Sequence, residues 1–165
     1  MKNYFLIIRG FLLIGCIFLC GCSYKVYVVR HAEKSASPAS NPVLTDAGSA
    51  RAIKLKEVLQ DKKITRIYST NTTRTLKTAE PLADYLKIKT EIYKPVPDSN
   101  FISILRSNRS NQLVVGHSNT IDDIVNMLCG KKVIPADVSE AVYDNLFVIK
   151  LSKSGKKAVF AGERY

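Results

Sequence analysis

The chain has 165 residues, 25 Lys and Arg against 14 Asp and Glu, a formal net charge of +11, four cysteines and no tryptophan. That length supports one domain with a real core and is short for two. The basic excess selects anionic partners, phosphorylated compounds or lipid head groups among them, and the absence of a basic stretch interleaved with stacking aromatics argues against nucleic acid.

Lys2 and Arg9 flank the start of an apolar run, Gly10-Phe-Leu-Leu-Ile-Gly-Cys-Ile-Phe-Leu19. Together they read as the basic and apolar regions of an export signal. The run is shorter than the ~20 residues of a membrane span. Leu19-Cys20-Gly21-Cys22 resembles a bacterial lipobox, with cleavage before Cys22 and diacylglycerol on its thiol; Leu13-Ile14-Gly15-Cys16 fits the same pattern but leaves a very short apolar region. The chain therefore divides into a signal peptide (1–21), a lipidated cysteine with a short tether (22–24) and a single domain (25–165). Loss of Lys2 and Arg9 takes the net charge from +11 to +9. The expected location is the bacterial cell envelope, extracytoplasmic and held to a membrane by lipid. Ser23 after Cys22 resembles proteins sorted to the outer membrane. Cys129 is then the one unmodified thiol of the mature chain, so no disulfide framework forms, and it is expected to be a buried, inert small hydrophobe.

The first strand is expected near 25–29, in Tyr24-Lys-Val-Tyr-Val-Val29. Residues 35–43, rich in Ser, Pro and Ala, follow as a loop overhanging a crevice, where loops commonly carry specificity. Thr45 can cap a helix to about residue 60, with Ala52, Leu55, Val58 and Leu59 on one face. A strand near 65–69 precedes a helix from about Arg74 to Leu86, with Thr72 or Thr73 as its cap. A strand near 90–93 and a central one near 112–116 come next, then a helix from about Asn119 to Leu128 that Ser118 can cap and Gly130 ends. Leu146–Leu151 and Lys157–Ala161 flank Ser152-Lys-Ser-Gly155 as a hairpin. This alternation predicts an α/β fold: three layers, α/β/α, with a mainly parallel central sheet and a C-terminal antiparallel hairpin.

The two histidines of the chain, His31 and His117, each close an apolar strand, as Arg30-His31 and Gly116-His117. In open α/β sheets ligands gather beyond the carboxyl ends of the strands. A third strand leads through Ser69 to Arg74, so two imidazoles and two guanidiniums converge on one edge and suit a dianion. No zinc-ligand spacing is present. His31-Ala-Glu33 lacks the Cys-x-x-Cys of a zinc deaminase, and Gly116-His-Ser118 lacks the final glycine of a serine-hydrolase elbow.

Val29-Arg-His-Ala-Glu-Lys34, Leu44-Thr-Asp-Ala-Gly48, Ser69 through Arg74 to Thr78-Ala-Glu80, and Val115-Gly-His-Ser-Asn119 resemble the histidine phosphatase superfamily, the phosphoglycerate mutase-like fold, over about residues 25–151. The resemblance implies His31 as nucleophile forming a phosphohistidine, with Arg30, Arg74 and His117 on the phosphoryl oxygens. Guanidinium forks neutralise such a group and orient it for in-line attack. Ser69 and Thr78 match further family positions, with local turn bonds an equal account of both. Larger members supply a general acid beyond the second helix; Asp98 lies in that region, though it can equally cap a helix over 100–106, and Glu33 is the other candidate. The implied activity is a metal-independent phosphoric monoester hydrolase without cofactor, acting on a small phosphorylated substrate. The alternatives are a phosphohistidine phosphatase, or a noncatalytic anion-binding lipoprotein of the same fold.

Overall fold

Ten elements alternate along the chain: β1 (Ser23–Arg30), α1 (Asp46–Leu59), β2 (Ile64–Ser69), α2 (Thr73–Leu86), β3 (Thr90–Ile92), α3 (Ser99–Ser107), β4 (Asn111–Gly116), α4 (Ile121–Cys129), β5 (Asn145–Ser152) and β6 (Ala158–Arg164). The computed structural model describes residues 23–154 and 157–165. The expected signal segment with Cys16 and Cys22, and Gly155 of the hairpin turn, lie outside the described residues. Strand order is β3-β2-β4-β1-β5-β6. The first four are mutually parallel, and β5 and β6 are antiparallel additions.

Alternation along β1 explains the layers. Val26 and Val28 face a core built with Leu105 of α3 and Ile124 and Leu128 of α4, whereas Tyr27 and Val29 face Leu55 and Leu59 of α1 and Leu82 of α2. A strand covered on both faces is apolar at nearly every position, and burial of each such side chain stabilises the fold by about 1.5–3 kcal/mol. Gly48 is fixed by packing: a Cβ there would collide with the Glu33 carbonyl oxygen, so α1 can lie directly on the chain leaving β1. At Gly116 a Cβ would come within 2.6 Å of the Tyr93 hydroxyl and 2.9 Å of Ile121.

Helix starts differ from expectation in two places. Thr45 does cap α1, accepting from Gly48 N. At α2 the Thr72 side chain makes no cap bond; instead Asn41, from the 35–43 loop, accepts from Thr73 N at 2.9 Å and donates to its hydroxyl at 2.8 Å. That loop is thereby pinned beside Arg74. α4 begins at Ile121 behind Thr120, because Ser118 turns to Glu140 rather than capping. Cys129 is half-buried rather than buried, and burial raises its thiol pKa.

Candidate active site

Adjacent parallel strands deliver the two imidazoles side by side. β1 and β4 run in register with Arg30 opposite Gly116, and His31 N donates to Gly116 O at 2.9 Å. The rings of His31 and His117 meet edge-to-face, with centroids 5.6 Å apart. A cavity of about 470 Å³ opens over them, lined among others by His31, Lys34, Thr72, Arg74, His117 and Glu140.

Hydrogen bonds assign the tautomers. Nδ1 of His31 lies 2.8 Å from the Ala32 carbonyl, which can only accept, so Nδ1 carries the proton and Nε2 keeps its lone pair. In His117 the roles reverse. Arg74 donates to Nδ1 at 3.3 Å, which leaves the proton on Nε2, facing the Thr70 hydroxyl at 2.9 Å. Thr70 is itself held by Thr75, which also donates to the Thr70 carbonyl. Burial lowers the His31 pKa to about 3, against the raising effect of the Ala32 bond and with help from the Arg30, Arg74 and His117 charges. Burial, then Arg74 and Arg30, lower His117 to about 4. Near pH 7 both rings are neutral, so any positive charge on His117 must be induced by a bound dianion.

Arg30 is 1% exposed. Its Nη1 donates to the carbonyls of Ser139, Glu140 and Val142 at 3.2, 2.7 and 3.4 Å, and its guanidinium carbon lies 4.2 Å from the Tyr143 ring centre. The Nε atoms of both Arg30 and Arg74 are buried without a hydrogen-bond partner. Unmet donors of this kind are costly in a finished core and suited to an oxyanion. Burial, ahead of repulsion from Arg30, lowers the Arg74 pKa while Glu140 opposes this.

Of the expected site residues, Arg30, His31, Arg74 and His117 come together. Asp98 does not: it caps α3, accepting from Phe101 N at 2.8 Å, and lines a separate cavity of about 230 Å³ beside β3. Glu33 is also engaged elsewhere, in a bidentate pair with Arg51 at 2.7–2.8 Å. Burial raises its pKa, but the Arg51 bonds and charge bring it net below the usual range. Ser69 is fully buried and donates to Thr70 O, behind the cavity. Thr78 is a brace that accepts from Ala32 N and donates to Arg74 O, tying the chain after β1 to α2. The carboxyl lining the cavity is Glu140, which accepts from Ser118. Sequence reasoning missed Glu140, Thr70 and Tyr143; only the closeness of Thr70 to Ser69 hinted at any of them. Among the described residues no cluster of three or more His, Cys, Asp or Glu could hold a metal ion.

Residues 26–101 match the model of the histidine phosphatase superfamily (branch 1). Among solved structures the chain is similar to the protein histidine phosphatase SixA complexed with tungstate (20% identity over 85% of this chain and 96% of that one, TM-score 0.65). It is also similar to the alpha-ribazole phosphatase from Shigella flexneri (15%, 86% and 96%, 0.64). The phosphoglycerate mutase from Plasmodium falciparum is a further match (18%, 84% and 89%, 0.52). At these identities the likeness is one of fold. No curated protein matches the chain. The family match and the fold together support a phosphatase.

Proposed function

With the histidine phosphatase superfamily fold spanning the domain and its family model matched over residues 26–101, we propose that the protein hydrolyses a small phosphorylated substrate through a phosphohistidine on His31, without a metal. The observation that carries this is the His31 tautomer: an unprotonated Nε2 beside two arginines whose Nε donors have no partner. The phosphoryl dianion sits against Arg30, Arg74 and His117. Nε2 attacks phosphorus in line, the P–N bond forms as the P–O bond to the leaving group breaks, and the ring becomes positive. Ala32 O, already bound to Nδ1–H, stabilises that charge in place. Water then attacks phosphorus, the P–N bond breaks and neutral His31 returns.

The test is hydrolysis of an aryl phosphate by the full chain in detergent, beside His31→Ala. Turnover should fall by several orders of magnitude in the variant, and wild-type enzyme quenched in mid-turnover should carry phosphate that is acid-labile and alkali-stable. Equal turnover in the variant would overturn the reading.

A second reading has its own support. Glu140, the carboxyl that lines the cavity, already accepts from Ser118, and no other carboxyl among the described lining residues stands ready to protonate an alkoxide. A protein phosphohistidine, whose imidazole leaves more easily than an alkoxide, needs no such group. A kcat/KM for a phosphohistidine peptide far above that for alkyl phosphates would select it; the reverse order would exclude it.

We place the protein on the bacterial envelope, anchored through lipid on Cys22, on the strength of the basic and apolar segments before Leu19-Cys-Gly-Cys22. Fatty-acid labelling in cells should be lost in Cys22→Ser, and label that persists there would sink the assignment.

A further inference from the structure

The sheet has a second edge, opposite the histidines, and its chemistry is different. β1, β2 and β4 all begin there, and the β5–β6 hairpin turns there, since Ser23 pairs with Ser152 and Ile64 with Asn111. Lys25, Lys62, Lys63, Arg109, Lys153 and Lys157 are exposed at these starts and turns; Asp61 is the acidic residue among the same described segments. None of the six basic side chains makes an ion pair among the described residues. Charge here is unneutralised, unlike Arg51, Arg66 and Arg164, which each hold a carboxylate.

Backbone geometry supplies an independent observation. Among the described residues, those other than glycine with positive φ are Lys63 (53°), Lys87 (55°) and Arg109 (50°). All three are basic, and all lie at this edge, Lys87 as the C-cap of α2. An L side chain is strained in this conformation and glycine is not. At three turns the chain keeps a cation where glycine would relax the backbone.

Chain order identifies the partner. Three residues separate the apolar run Gly10–Leu19 from Ser23, where β1 starts. A tether of three residues spans at most about 11 Å, so any bilayer that takes up the apolar run, or a lipid on Cys22, meets this edge first. We propose that the amino edge of the sheet docks on an anionic lipid bilayer, its lysines and Arg109 against the head groups and His31 facing away. Each cation near such a surface is worth about fivefold in binding, and salt screens the contact. This docking is independent of the reaction at His31.

The experiment is amine-reactive footprinting of the full chain inserted into vesicles of phosphatidylcholine, alone or mixed with phosphatidylglycerol. In mixed vesicles Lys25, Lys62, Lys63 and Lys157 should react severalfold more slowly than in neutral ones, Lys34 at the opposite edge should be unchanged, and high salt should erase the difference. The variant Lys62→Glu/Lys153→Glu, which leaves the strained positions alone, should return Lys25 and Lys157 to their neutral-vesicle rates while circular dichroism reports an intact fold. Equal rates in the two vesicle types, shielding of Lys34 instead, or unchanged shielding in the variant would each overturn the proposal. Stronger shielding by soluble polyglutamate than by anionic vesicles would assign the face to an acidic macromolecule and overturn it as well.

Discussion

His31 is buried and His117 half-buried, and burial lowers their pKa values to about 3 and about 4, so both are neutral in the folded protein near pH 7. In the unfolded chain each titrates near its ordinary value of about 6.5. Between those limits the unfolded state binds more protons, so stability is complete above about pH 6.5 and is lost as the pH falls through that value toward the folded pKa values. Thermal unfolding should show a midpoint that drops from pH 6.5 to 4.5, with a shallower drop in His31→Asn, which removes one of the two groups. A parallel slope in the variant would mean that carboxylates such as Glu33, not the histidines, govern the acid limb. Saturating inorganic phosphate should reduce the drop, because an anion against the rings raises their pKa values.

Elements explain how much of the site was legible. Arg30, His31 and His117 could be read because each closes a run of buried strand residues, and parallel strands in register must bring such ends together. Arg74 followed from its place at the first turn of α2. What could not be read came from pairings distant in sequence. Tyr143 lies under Arg30 across more than a hundred residues, and Glu140 enters the cavity on the chain before β5. Asp98 shows the same limit from the other side: a carboxylate before Ser99-Asn-Phe101 satisfies both a cap and an acid by pattern, and the hydrogen bond to Phe101 N decides for the cap. Asp98→Ala should cost about 1 kcal/mol in denaturant unfolding and leave alkyl phosphate hydrolysis, whose alkoxide needs a proton, within twofold of wild type; a loss of that turnover without a loss of stability would restore its catalytic role.

At the scale of the molecule, eight residues of β1 separate the two edges of the sheet. At about 3.3 Å per residue this is some 25 Å. A site that far from a docked surface lies beyond the screening length of about 10 Å at ordinary salt. The full chain in anionic vesicles should therefore hydrolyse a soluble aryl phosphate with the kcat/KM it shows in neutral vesicles, and a markedly raised KM on the anionic surface would place the site near the bilayer. The basic character of the chain thus serves two ends of one sheet, a buried and a half-buried arginine at one and solvated lysines at the other.

Arg30 grips the segment 139–142 through three backbone carbonyls. Carbonyl oxygens are the same whatever side chain accompanies them, so the residues supplying them are released from selection by the clamp itself. Substitution at 140, whose side chain lines the cavity, can alter what faces the nucleophile while the guanidinium keeps its place. Inheritance of the reaction and divergence of its substrates are in this way written on different atoms of one short segment.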